Sequence, residues 1–105
     1  MEQVKDRLLA DLREVEEELA RITERLEVRG DYGFGKGDPS VYQWEFNLAL
    51  RDRYRNHLDQ IQSALARLAE GTYGICESCA QTIEAERLDA LPFTSLCIAC
   101  ARKSR

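Results

Sequence analysis

The stretch Leu8-Leu9-Ala10-Asp11-Leu12-Arg13-Glu14-Val15-Glu16-Glu17-Glu18-Leu19-Ala20-Arg21-Ile22-Thr23-Glu24-Arg25-Leu26 decides the architecture. It places Leu8, Leu12, Val15, Leu19, Ile22 and Leu26 at successive spacings of 4, 3, 4, 3 and 4. Residues three and four apart share one face of an α-helix, so these six form a heptad seam. The positions between them are mostly Glu, Asp and Arg, and neither Pro nor Gly occurs before Gly30. One helix over about residues 2–28 is expected, about 40 Å long at about 1.5 Å per residue. An apolar stripe of that length has to be covered by a partner.

The partner lies further along the chain. Tyr54, Leu58, Ile61, Leu65 and Leu68 repeat the spacings 4, 3, 4 and 3, and good helix formers run from Pro39 or Ser40 to Glu70. Between the two stripes, Arg29-Gly30-Asp31-Tyr32-Gly33-Phe34-Gly35-Lys36-Gly37-Asp38-Pro39-Ser40 holds four of the six glycines. Two long helices joined by so short a turn fold back as an antiparallel coiled-coil hairpin. Asp38 before Pro39 suits an N-cap with proline at the first helical position, and Gly71 suits a C′ glycine. The fold class is therefore mainly α. A coiled-coil hairpin over residues 1–70, with its tip loop at about 29–40, precedes a small four-cysteine segment over 71–105 that includes a short C-terminal helix.

Composition agrees with an elongated helical protein. Of 105 residues, 32% are charged and 44% hydrophobic, with a formal net charge of −4. The first thirty residues carry 6 basic and 9 acidic side chains, which puts the acidity on the first helix. No stretch approaches the roughly 20 apolar residues that cross a bilayer, and the opening Met1-Glu2-Gln3-Val4-Lys5-Asp6 is charged. A cytoplasmic protein with no membrane contact is expected. Net negative charge also argues against wholesale nucleic-acid binding, which needs clustered Lys and Arg, and favours a protein partner.

After Thr72 the helical periodicity stops, and the remaining chain is too short for a hydrophobic core of its own. Cysteines supply the staple. Cys76-Glu77-Ser78-Cys79 and Cys97-Ile98-Ala99-Cys100 are two CxxC pairs with 17 residues between them. Each pair aims two thiolates at one point, and the two together complete the tetrahedron that zinc accepts. A redox CxxC pair needs a βαβ setting that is missing here, and iron–sulfur clusters use other spacings. Cys76, Cys79, Cys97 and Cys100 are thus expected to hold one Zn2+. Four protein thiolates leave no position for water, so the ion is structural and the protein is not expected to be an enzyme.

The residues Gly71-Thr72-Tyr73-Gly74-Ile75-Cys76-Glu77-Ser78-Cys79, then Ile83, then Arg87-Leu88-Asp89-Ala90-Leu91-Pro92 and Leu96-Cys97-Ile98-Ala99-Cys100 closely resemble the zinc finger of the DksA/TraR family. That family joins a coiled-coil hairpin to a four-cysteine finger, and the two features cover nearly the whole chain. The resemblance implies a bacterial transcription regulator without chemistry of its own. It would bind RNA polymerase, insert its coiled-coil tip into the secondary channel and dock its finger at the channel rim.

Asp31 and Asp38 are the tip carboxylates, and they stand seven residues apart. The family's best-studied members carry two aspartates three residues apart, followed by a small residue; that triplet does not occur here. One reading makes Asp31 a loop solubiliser and Asp38 a cap. The other brings a carboxylate to the polymerase catalytic magnesium, as stimulation of transcript cleavage of the Gre type would require. Tyr32, Phe34, Tyr42, Trp44 and Phe46 crowd the same turn, either folded over the hairpin end or exposed as anchors for the partner, with Tyr32, Phe34 and Trp44 the candidate contacts.

Arg51, Arg53 and Arg55 form a basic cluster on the second helix. They pair with nearby acids, contact an acidic polymerase surface or, with the basic C-terminal tail, serve a nucleic-acid-binding zinc ribbon. Members of the family that respond to guanosine tetraphosphate use basic residues flanking the last cysteines. Here Leu91 precedes Pro92 and Ala101 follows Cys100, so the resemblance does not carry nucleotide binding over.

Overall fold

The computed structural model describes residues 2–30 and 39–103. Its elements are α1 (Glu2–Gly30), α2 (Pro39–Glu70), α3 (Ala85–Ala90) and α4 (Ile98–Lys103). The two long helices are the arms of the coiled-coil hairpin, and the remaining chain forms the four-cysteine finger with its short terminal helix. Among the described residues there is no strand, only an isolated antiparallel bridge between Ile75 and Thr82. No described helix is long and apolar enough to cross a membrane.

Contacts divide the chain into two compact units, Arg13–Asp59 and a second made of Met1–Leu12 with Gln60–Arg105. In Arg13–Asp59, α1 contributes the buried side chains Val15, Ile22 and Leu26, and α2 contributes Asn47. Leu19, Trp44, Tyr54 and Leu58 are half-buried beside them. The exposed face of α1 carries the ion pairs of Arg21 with Glu17 and Glu18, which add little in open solvent.

In the other unit, Leu8 on α1 and Ile61 and Ala64 on α2 are wholly buried. Here the heptad reading of α2 needs adjustment. The spacing places Leu65 and Leu68 in the seam, yet both are half-buried, whereas Ala64 and Arg67 are buried. The cause is tertiary: the finger packs in the same unit and supplies acceptors to Arg67, so the covered face of α2 turns toward it.

The end of α2 follows from its glycine. Gly71 has φ +79°, a left-handed conformation that costs a residue with a Cβ. Thr72 N–H donates to Arg67 O at 2.9 Å and Gly71 N–H to Leu68 O at 3.4 Å. These two bonds make a Schellman cap and turn the chain into the finger.

Candidate metal centre

The first CxxC pair is built on a tight turn. Gly74, with φ +84°, lets its carbonyl accept from Ile83 N–H at 2.8 Å, and Cys76 N–H donates to Gln81 O at 2.8 Å. Ala80, at φ +63°, closes that turn with its N–H on Cys76 O at 2.9 Å. The second pair opens α4, where Ala101 N–H donates to Cys97 O at 2.9 Å. Between the pairs, α3 and the residue before it reach across to the second with one side chain each. Arg87 Nε donates to Leu96 O at 2.8 Å, and Glu84 Oε1 accepts from Ile98 N–H at 3.3 Å. Glu77 N–H joins the first pair to the approach of the second through Ser95 O at 2.9 Å. Tyr73 adds its hydroxyl, which donates to Pro92 O at 2.9 Å, and burial pushes its phenol pKa up.

These local choices bring four thiols together. The Sγ atoms of Cys76, Cys79, Cys97 and Cys100 all lie within 4.8 Å of one another, and none is in a disulfide. Thiolates at about 2.3 Å from a central zinc ion sit about 3.8 Å apart along the tetrahedron edge. The Cys79–Cys97 sulfurs are separated by 3.8 Å. Cys76, Cys97 and Cys100 are buried with Ile83, with Leu88 and Leu96 packed against them, and only Cys79 is exposed. The cluster is both the metal site and the core of the finger, which is why so short a segment folds.

Electrostatics prepares the thiols unequally. Backbone amides of Cys97 and Cys79 point at the Cys76 sulfur and lower its pKa from 9.0 to about 6 against the opposing effect of burial. Cys100 is pushed up to about 12, chiefly by the Cys97 thiol beside it. Four crowded thiols cannot all ionise by themselves; a divalent cation removes that conflict by taking every one as a thiolate. The donor set is closed and all sulfur, the arrangement of a single structural zinc ion.

The other sequence candidates fare differently. Asp31, Tyr32, Phe34 and Asp38 lie outside the described residues. Trp44 is half-buried on α2, while Tyr42 and Phe46 are 73% and 61% exposed. The three arginines do not form one patch. Arg51 is partly covered with its Nε 3.6 Å from Asp52, Arg53 is exposed, and Arg55 borders a shallow depression with Glu16, Glu24 and Glu27 of α1. Sequence reasoning missed Arg67, the buried cation beside the finger. Its signal was a charged residue three positions after Ala64, at a place the heptad did not count.

Comparison with known proteins agrees with this geometry. Residues 71–105 match the prokaryotic dksA/traR C4-type zinc finger. An uncharacterized protein of Aquifex aeolicus (strain VF5) is 32% identical over 111 residues, covering 98% of this chain and 74% of its own length. The RNA polymerase-binding transcription factor DksA of Buchnera aphidicola (subsp. Schizaphis graminum) is 40% identical over 65 residues, and the chain spans 43% of its length. The structure of transcription factor DksA2 from Pseudomonas aeruginosa superposes with a TM-score of 0.80 at 28% identity, covering 98% of this chain and 81% of that one. With hairpin and finger both matched, the chain belongs to the DksA/TraR family.

Proposed function

We propose that the protein is a regulator of transcription that binds bacterial RNA polymerase in the cytoplasm, its coiled-coil tip entering the secondary channel and its zinc finger docking at the rim. The observation that carries this reading is the likeness of hairpin and finger together to DksA2, over 98% of the chain. The name of the Buchnera relative, an RNA polymerase-binding transcription factor, supports the choice of partner. In this role the zinc ion, held by Cys76, Cys79, Cys97 and Cys100, maintains the finger and performs no chemistry.

Asp31, Asp38, Tyr32, Phe34 and Trp44 are the contacts assigned to the tip, with aromatic anchors supplying affinity and carboxylates meeting the surroundings of the catalytic centre. Arg51, Arg53 and Arg55 contribute contacts to acidic polymerase surface along the second helix. Guanosine tetraphosphate has no part in this account, since Leu91 and Ala101 occupy the flanking positions. Saturable binding of the purified chain to RNA polymerase core enzyme, followed by fluorescence anisotropy at low salt, is the expected result. Absence of binding at micromolar concentration would overturn the reading.

A further inference from the structure

Arg67 is 8% exposed, the single buried cation among the described residues. It continues the covered row Ile61, Ala64, Arg67 on α2, where an apolar side chain would satisfy packing at no electrostatic cost. Burial of a guanidinium is tolerated only where acceptors replace water. Here the acceptors all come from the finger. Nη2 donates to Phe93 O and Thr94 O, both at 3.3 Å, and Nη1 donates to Glu77 Oε1 at 3.5 Å. Glu77 lies inside the first CxxC pair, and residues 93 and 94 lead directly to Cys97.

The same segment is held from its other side. Arg87 binds Leu96 O at 2.8 Å and reaches Thr94 Oγ1 at 3.4 Å, and Glu84 accepts from Ile98 N–H at 3.3 Å. Residues 93–98 are therefore fixed by charged side chains of α2, of α3 and of the residue before α3. A guanidinium whose Nη2 donates to two successive carbonyls while Nη1 reaches the Glu77 carboxylate demands one loop conformation, which a point charge does not.

We propose that Arg67 is a positioning residue for the metal: its guanidinium holds the loop that delivers Cys97, so zinc binding in the finger and order in the last turns of α2 reinforce each other. Arg67 touches no sulfur. It acts by preorganising the second thiol pair before the ion arrives, and a gain in metal affinity from that order must be matched by a gain in α2 order on metal binding. A hairpin residue thereby tunes how tightly the finger keeps its zinc.

The test uses the full chain and Co2+, whose absorption reports a tetrahedral four-thiolate site. Arg67→Met keeps length and helix propensity while removing the fork. Expected is a roughly ten- to hundred-fold weaker cobalt affinity, the range for losing hydrogen bonds to a charged group. The spectrum at saturation stays that of the wild type. Hydrogen exchange supplies the reciprocal readout: in the wild type, metal slows exchange at residues 64–70, and in Arg67→Met it no longer does. Arg67→Lys retains charge without the fork and is expected to bind several-fold more weakly than wild type. If Arg67→Met fails to form the four-thiolate spectrum, Arg67→Lys carries the comparison. Wild-type affinity in the variants, or wild-type exchange at 64–70 indifferent to metal, overturns the proposal. So does a loss of protection across residues 13–59 with cobalt affinity intact, which is the pattern of a merely structural role.

Discussion

At the scale of single residues, Cys76 and Cys100 differ although their chemistry is the same. Cys76 sits under backbone N–H groups that favour its thiolate and bring its pKa to about 6 in the metal-free finger. A folded-state pKa below the ordinary 9.0 contributes stability above that ordinary value, and the contribution is lost as pH falls through about 6. Cys100, raised to about 12, has the opposite sign: its contribution is complete below 9.0 and is lost as pH rises toward 12. Zinc needs thiolates, so protons compete with it most strongly on the acid side. Titrating the loaded protein from about pH 7.5 to about pH 5 with a zinc indicator is expected to show progressive release, because protons take the four thiolates away from the ion. Full retention at about pH 5 would contradict this assignment.

At the scale of elements, the heptads of α1 translate into burial for Leu8, Val15 and Ile22, seven apart, and for Leu26, while Leu12 and Leu19 are half-buried. The α2 stripe was legible only in part. Asn47, seven residues before the seam residue Tyr54, is 6% exposed. A polar residue within a coiled-coil seam fixes register at a cost in stability. Asn47→Leu is expected to raise the melting temperature by several degrees, as about 1 kcal/mol does in a domain of this size. It should also permit slipped pairings, seen as broadened amide resonances across residues 13–59. A lower melting temperature would mean that Asn47 holds the hairpin together and does not merely register it. At the other end, Gly71 was readable as a cap because helix termination is local chemistry. Arg67 was not, because its partners lie 10 to 27 residues away.

For the whole molecule, the balance of charge sets which partners are accessible. The formal charge is −4, and zinc on four thiolates changes it by −4 + 2 = −2, to about −6. Exposed Arg53 does not combine with partly covered Arg51, or with Arg55 beside the acids of α1, into a basic strip. Binding to free duplex DNA is therefore expected to be undetectable by anisotropy at roughly 0.15 M salt. Measurable affinity that falls steeply with added salt would favour a nucleic-acid-binding ribbon.

The sequence by itself determined the helical arms, their antiparallel return, the end of α2 and the identity of the metal-binding thiols. Each of these follows from spacing within a few turns or from residue types with narrow chemistry. Tertiary structure alone decided which face of α2 is covered beyond Ile61, that backbone amides gather at the Cys76 sulfur, and that an arginine occupies the covered row beside the finger. Those outcomes depend on donors and acceptors contributed by distant segments, and a buried charge is stable only where such acceptors converge.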